Sequence, residues 1–249
     1  MAEVVKEGDF ILIDFDMKLD DDKNTIVETT SEEKAKKSGI HDPRYPYRPE
    51  LVVVGHGYVV KGLDEALAGM KINEEKKDIT VPPEKGFGRR DSKLIEERTV
   101  RWLKAKNIRP MRNVKFQEKG KIGRIISVKQ QKASVDFNPP LAGKTLIFDV
   151  KVIEIVKDAE KKVKLLVNRH FGMIKDEELE LESKDDLVTI TLPIELMLAQ
   201  GGQIMAARLV GDIGRLTTFE KIKISYFLDY SKIKDGDKAT EVIEEGSED

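Results

Sequence analysis

The segment Val52–Met70, VVVGHGYVVKGLDEALAGM, constrains the fold more than any other part of the chain. Its run of valines predicts a buried strand, and the glycines that follow allow a tight turn. Beyond the turn, apolar residues recur at the spacing of one helix face, at Leu63, Ala66, Leu67 and Met70. The segment therefore predicts a strand, a glycine turn and a short amphipathic helix in direct succession.

The glycine turn does not match a nucleotide-binding motif. Its glycines follow the pattern G-x-G-x4-G, whereas a dinucleotide-binding turn has G-x-G-x-x-G at the start of a helix. The predicted helix begins only at the third glycine, Gly62, and the sequence contains no P-loop pattern. Nucleotide binding is therefore not predicted.

Residues that commonly carry hydrolytic or metal chemistry are missing or scattered. His41, His56 and His170 lie in three separate segments without metal-ligand spacing. The chain has no cysteine, which excludes disulfides and thiol catalysis, and no G-x-S-x-G elbow. No metal site and no hydrolase are predicted.

Composition favours a protein of a reducing compartment. The absence of cysteine fits such a compartment. The first residues lack a basic stretch followed by an apolar one, and no later segment is apolar over a membrane-spanning length. We expect a cytoplasmic protein without membrane association.

A net charge of −2 conceals two charged blocks. Arg98–Lys132 contains twelve Lys or Arg residues and one acid, Glu118. The segment Ile233–Asp249 contains seven acids and two lysines. Blocks of this kind indicate interaction surfaces or solvated tails, and they indicate where the chain divides.

Residues outside the glycine turn predict further strands and helices along the chain. Alternating residues predict strands at Phe10–Leu19 and in TIVETT, and Ser31 caps a predicted helical turn. In the basic block, EERTVRWLKAKNI predicts a helix or a helical turn, and three short strands follow it. The remaining predictions are a strand over 145–156, a helix over 161–171, strands over 178–182 and 187–192, a helix over 195–209, and a last strand in FEKIKISYFLDY.

Four segments together resemble the FKBP-type peptidyl-prolyl isomerases: VETT, VVVGHGYVVKGLDEAL, PPEKGFGRRD and LAGKTLIFDVKVIEI. Their order, spacing and content match that family. The resemblance implies an α+β fold in which an antiparallel sheet curls around one short helix, Gly62–Met70. It also implies an enzyme without cofactor or metal, acting on proline-containing polypeptides.

The resemblance implies a substrate pocket between the sheet and this helix. Its main-chain anchor for the substrate carbonyl would be the N–H of Val60, and Val52 would also face the substrate. The catalytic residues implied are Phe15, Val27, Glu28, Val59, Val60, Leu63, Phe87 and Phe148.

Three pocket positions differ from the residues usual in the family. Glu28 stands where Asp is usual, Phe87 where Tyr is usual, and Leu63 where Trp is frequent. SlyD-like bacterial members also have leucine at the last position. The first two differences leave open an alternative, a holdase chaperone with weak catalysis.

The basic block interrupts the FKBP pattern where SlyD-like and long archaeal members carry an inserted β domain. In those relatives the insert binds unfolded chains, which implies a folding chaperone. The predicted apolar contacts are Trp102, Leu103, Ile108, Met111 and Phe116. These residues could instead form the core of the insert. The charge could attract acidic client segments or could simply be a solubilising surface, and it also leaves open a ribosome- or RNA-associated factor.

The rest of the chain loosely resembles the extra C-terminal domain of long archaeal members, which favours a homodimer. The predicted organisation has an isomerase domain over 1–93 and 138–157, and a basic insert over 94–137. A mixed α/β domain follows over 158–231, and an acidic tail over 232–249. The predicted helix over 195–209 has Leu196, Met197, Met205 and Leu209 on its apolar side, either as core or as an adaptable partner surface.

Overall fold

The computed structural model describes residues 3–172, 174 and 178–228. The chain divides into two units. The first comprises the described residues up to Glu7, Ile13–Glu50 and Val54–Ile153. The second comprises Gly8–Leu12, Leu51–Val53 and the described residues from Glu154 onward. None of the helices in the described ranges is long and apolar enough to cross a membrane.

The main sheet has five strands: β1 (Phe10–Leu19), β2 (Ile26–Thr29), β3 (Glu50–Val53), β4 (Glu75–Val81) and β9 (Leu146–Val156). Their order is β2-β1-β9-β4, and β3 also pairs with β1. The pairings of β1 with β2 and of β4 with β9 are antiparallel. The α+β class and the antiparallel sheet are therefore confirmed.

Two helices accompany this sheet, α1 (Glu32–Lys37) and α2 (Lys61–Leu67). The side chain of Ser31 accepts a hydrogen bond from the Lys34 N–H, so the predicted cap of α1 is confirmed. Helix α2 packs against β4, and a Cβ at Gly62 would lie only 2.7 Å from a Val81 methyl. Glycine at this position therefore allows the close approach of helix and strand.

The basic block forms a four-stranded antiparallel sheet with one helix. Its elements are β5 (Ile95–Thr99), α3 (Val100–Ala105), β6 (Lys115–Glu118), β7 (Lys121–Lys129) and β8 (Lys132–Asp136), and the strand order is β5-β8-β7-β6. The helix predicted over EERTVRWLKAKNI is wrong in its first part, which pairs with β8 as β5. The reason lies in Thr99, whose side chain accepts from the Trp102 N–H and begins the helix there.

This small sheet has a core of its own. Leu103, Ile125, Ala133 and Val135 are fully buried, and five further side chains pack against them: Trp102, Ile108, Val114, Phe116 and Phe137.

The second unit contains three helices and a three-stranded sheet. Its elements are α4 (Ala159–Phe171), β10 (Glu180–Lys184), β11 (Leu187–Pro193), α5 (Ile194–Leu198), α6 (Gly202–Leu216) and β12 (Lys221–Phe227). Strand β10 is antiparallel to β11, whereas β12 is parallel to it. A parallel pair needs a crossover connection, which α5 and α6 supply here.

The single helix predicted over 195–209 is in fact two helices. Gly201 has φ +85°, and a Cβ at Gly202 would lie 2.1 Å from the Leu196 carbonyl oxygen. The glycine pair thus ends α5 and begins α6. Leu209 is buried in the core, whereas Met205 is exposed. The predicted acidic tail lies outside the described residues.

Candidate active site

A cleft of about 330 Å³ opens beside the start of α2. Its lining comes from β1, β2, β3, β9, the glycine turn, helix α2 and the loop after β4. The lining residues are Phe15, Met17, Glu28, Glu50, Gly57, Tyr58, Val59, Val60, Leu63, Phe87 and Phe148.

The sheet supplies an apolar wall of buried side chains. Phe15 and Met17 point to the same face of β1, because side chains alternate along a strand. The ring of Phe15 lies 6.3 Å from that of Phe148 on β9, at a tilt of 45°. This distance is within the range of favourable aromatic pairs, so the two rings support each other.

Opposite the sheet, the entry to α2 combines an apolar floor with a main-chain donor. Leu63 is 1% exposed and closes the cleft from below. The carbonyl of Val60 accepts hydrogen bonds from the N–H groups of Leu63 and Asp64, at 2.9 and 3.1 Å. The N–H of Val60 has no acceptor within the described part of the chain. A helix start of this kind leaves donors available to a ligand.

The turn before α2 depends on glycine backbone geometry. Gly55 and Gly57 have φ of +83° and +70°, which favour glycine. The Gly55 N–H donates to the Asp64 carboxylate, so the turn is attached to the helix that it precedes.

Phe87 lines the cleft from the loop after β4. A short 3-10 helix, Pro83–Lys85, precedes it, and the Gly88 N–H donates to the Pro83 carbonyl at 2.8 Å. Phe87 is 39% exposed, in contrast to the buried rings of the sheet.

Two carboxyl groups, Glu28 and Glu50, lie among these apolar residues. Glu28 as a whole is exposed to solvent, but its carboxyl group is partly desolvated. This desolvation raises the pKa of Glu28 above its ordinary value, and the charge of Glu50 raises it further. Desolvation also raises the pKa of nearby Tyr45 to about 12, with Glu50 and Glu28 contributing. The charges of Glu50 and Glu28 therefore act on this end of the cleft, and Arg48 opposes them at Tyr45.

The structure brings together seven of the eight pocket residues that the sequence predicts, all except Val27. Val27 precedes Glu28 on β2 and points to the opposite face of that strand. Val52 is fully buried and does not line the cleft. Met17, Glu50, Gly57 and Tyr58 line the cleft without having been predicted. Met17 lies two residues after Phe15 on the same strand, a spacing that could have identified it.

The five predicted contact residues of the insert differ in exposure. Leu103 is fully buried in the core of the insert. Trp102, Ile108 and Phe116 pack against that core and are partly exposed, while Met111 is 49% exposed. Arg98 lies over the rings of Trp102 and Phe137, at 5.4 and 5.7 Å.

A larger cavity of about 500 Å³ has a different chemistry. Most of its lining residues are polar or charged. Its buried carboxylate Asp16 accepts from Thr29 Oγ1 at 2.6 Å and pairs with Lys34. Asp149 pairs with Lys18 at 2.5 Å. This cavity lacks the apolar walls that would suit a prolyl ring.

Comparison with known proteins agrees with the geometry of the smaller cleft. The family model described as FKBP-type peptidyl-prolyl cis-trans isomerase matches residues 2–153. A second model, described as FKBP26_C-terminal, matches residues 159–225.

Individual relatives point the same way. The short-type peptidyl-prolyl cis-trans isomerase of Methanocaldococcus jannaschii is 35% identical over 155 residues, covering 62% of this chain and 96% of that protein. The FKBP-type 16 kDa peptidyl-prolyl cis-trans isomerase of Escherichia coli (strain K12) is 28% identical over 172 residues, with the same coverage. The chain belongs to the FKBP-type peptidyl-prolyl cis-trans isomerase family.

Proposed function

We propose that this isomerase rotates Xaa-Pro bonds in the cleft beside α2, and that its basic insert holds unfolded chain as a chaperone. The single observation that carries the first part is an apolar cleft with an available main-chain donor, the Val60 N–H.

The chemistry of rotation suits such a cleft. Amide resonance gives the C–N bond partial double-bond character, with a barrier of about 18–20 kcal/mol. Resonance is lost in the twisted transition state, so the carbonyl there is less polar than in the planar ground state. An apolar site consequently disfavours the planar imide more than the twisted one, which is preferential binding of the transition state. Neither a nucleophile nor a metal is needed.

Different residues of the cleft have different roles in the rotation. Phe15, Phe148 and Leu63 exclude water from the prolyl ring, and Phe87 covers it from the loop side. The Val60 N–H donates to a substrate carbonyl and fixes the orientation of the chain. The rotation is then confined to the one bond that the walls enclose.

Val60→Pro isolates the main-chain donor. Val60 has φ −61°, which proline adopts, so the substitution removes the N–H while retaining the backbone angle. We expect kcat/KM for a short Xaa-Pro peptide to fall about fivefold, as for the loss of one net hydrogen bond of about 1 kcal/mol. Val60→Ala is the matched control, because it shortens the side chain and retains the donor.

The two variants are compared by NMR exchange measurements of cis-trans interconversion, after thermal melting has shown that both are folded. A Val60→Pro protein as active as Val60→Ala would contradict the assigned donor. Full activity in a folded Phe148→Ala variant would contradict the assigned cleft.

The insert supports the chaperone part of the proposal through its exposed apolar and basic side chains. Met111 and Ile122 are 49% and 65% exposed. Arg98 pairs with Glu96 and Glu118, and Lys132 pairs with Glu97. Other cations of the insert have no acidic partner among the described residues: Arg101, Lys104, Lys106, Arg109, Arg112, Lys115, Lys119, Lys121 and Lys129. Such a surface suits unfolded segments that contain both apolar and acidic residues.

Met111→Ser combined with Ile122→Ser tests this role, since both residues are exposed and their replacement leaves the core intact. We expect weaker suppression of aggregation of an unfolded client, with unchanged rates on short Xaa-Pro peptides. Unchanged suppression would contradict the assigned surface.

If the parent protein suppresses aggregation but does not accelerate peptides, the holdase alternative is correct. Steeply salt-dependent RNA binding would favour the ribosome-associated alternative.

A homodimer is proposed for the second unit. Leu198, Ile204, Met205 and Leu228 are exposed apolar side chains there. Sedimentation analysis of the parent protein and of Ile204→Ser tests it: we expect a dimer that dissociates more readily in the variant. A parent protein that remains monomeric at high concentration would contradict it.

A further inference from the structure

The charged residues of the cleft all have the same sign. Glu28 and Glu50 are its only ionisable carboxyl groups, and no Lys or Arg of the described chain lines it. The remaining lining is apolar or neutral. A substrate that enters therefore meets two carboxyl groups in the lining.

The two acids come from neighbouring parts of the sheet. Glu28 lies on β2 and Glu50 is the first residue of β3, and both strands pair with β1. The charge of Glu50 acts on Glu28 and raises its pKa, so the two carboxyl groups interact electrostatically. Arg48 acts on nearby Tyr45 but lines the other cavity.

Apolar walls strengthen the effect of this charge on a ligand. A cleft with one sign of charge and low-dielectric walls concentrates the field and favours ligands of the opposite sign. Desolvation already disfavours the charged form of Glu28. A cationic group placed beside it would relieve that cost, and an acidic group would increase it.

We infer that Glu28 and Glu50 make the cleft selective for prolines that have a lysine or arginine as an adjacent residue. The inference rests on the proposed location of the active site. It assigns a substrate class, basic Xaa-Pro or Pro-Xaa segments, to a reaction whose chemistry requires no charge. The two glutamates act on substrate choice, whereas the apolar walls act on bond rotation.

A peptide series tests the selectivity directly. The peptides differ only in the residue before proline, which is lysine, norleucine or glutamate, and a second series varies the residue after proline. At low ionic strength we expect kcat/KM for the lysine peptide to exceed that for norleucine about three- to fivefold in at least one series, the range of an exposed ion pair. The glutamate peptide should be the poorest, and added salt should reduce the difference.

The ratio of kcat/KM between lysine and norleucine peptides is the readout in each variant, because it is independent of changes in overall activity. Glu28→Gln and Glu50→Gln should each lower the ratio, and the double variant should bring it close to one. Glu33→Gln is the matched control. Glu33 lies on α1, pairs with Lys37 and does not line the cleft, so this variant changes net charge equally and should retain the ratio.

The outcomes separate this inference from the proposed function. Acceleration of all three peptides to the same extent in both series would overturn the selectivity and leave the active site in place. Failure to accelerate any peptide would instead contradict the proposed function. Selectivity that is lost equally in Glu33→Gln would show that net charge, and not the cleft, is responsible, which would also overturn the inference.

Discussion

The main-chain N–H of Gly55 donates to both carboxylate oxygens of Asp64, at 3.0 Å each. Gly55 is in the turn, at a positive φ, and Asp64 is in the first turn of α2. The carboxylate therefore joins the turn to the helix whose N-cap residue is Val60.

Asp64→Ala removes this acceptor. We expect a loss of about 1 kcal/mol in the free energy of unfolding, the net value of one hydrogen bond. Because the turn positions Val60, kcat/KM for an Xaa-Pro peptide should fall as well. Asp64→Asn retains one acceptor oxygen and should lie between the parent and the alanine variant. Denaturant titration and peptide kinetics measure the two effects, and an alanine variant equal to the parent in both would contradict this role.

The raised pKa of Glu28 predicts how its contribution to stability depends on pH. The folded protein holds the Glu28 proton more tightly than the unfolded chain, whose group titrates near its ordinary value of 4.5. The charged carboxyl therefore destabilises the fold, fully at pH above the raised pKa and not at all below 4.5.

Glu28→Gln should accordingly melt at a higher temperature than the parent at pH 8, and the difference should disappear as the pH falls below 4.5. Glu33→Gln provides a control of opposite sign. Its partner Lys37 lowers the pKa of Glu33, so that carboxyl stabilises the fold at neutral pH. Thermal melting across pH measures both, and a Glu28→Gln variant less stable than the parent at pH 8 would contradict the sign.

Replacement of two glycines of α6 by alanine should have opposite effects on stability. At Gly211 an added Cβ meets no atom within 4 Å, so Gly211→Ala should stabilise the helix by about 0.5–1 kcal/mol. At Gly202 the Cβ would lie 2.1 Å from the Leu196 carbonyl, so Gly202→Ala should destabilise the unit. Thermal unfolding distinguishes them, and destabilisation by Gly211→Ala would contradict the geometry of the helix.

Two residues of the cleft differ from those usual in the family, and both can be reverted. Glu28→Asp combined with Phe87→Tyr restores the usual residues. If rotation depends mainly on the apolar walls, the gain in kcat/KM should be less than about fivefold, the value of one net hydrogen bond. A much larger gain in peptide kinetics would show that the natural cleft is catalytically impaired and would favour the holdase alternative.

Local sequence patterns predicted those parts of the fold that depend on local interactions. The alternation of β1 and the cap at Ser31 are examples, since each depends on residues adjacent in the chain. The first part of EERTVRWLKAKNI was wrongly predicted as helix because its pairing with β8 is distant in sequence.

Residues of the cleft that belong to continuous sequence motifs were predicted, whereas those that depend on tertiary structure were not. The resemblance named seven of its residues, because their motifs are continuous in the chain. Glu50 was missed, since its position in the cleft depends on where the start of β3 lies relative to β2. Glycines stand at 201 and 202 in the sequence, but the break between the helices depends on how closely Gly202 approaches the Leu196 carbonyl.

Hydrogen bonds join the two segments of the chain that precede and follow the insert. The Asp91 N–H donates to Asn138 Oδ1 at 2.8 Å, and Asn138 Nδ2 returns a hydrogen bond to the Asp91 carbonyl at 2.9 Å. Arg90 adds an ion pair to Asp136 at 2.6 Å. With both ends fixed side by side, the length of chain between them can change at little entropic cost to the host. Positions of this geometry accept whole domains by insertion, so the same two residues could carry a different inserted domain in an engineered or evolved isomerase.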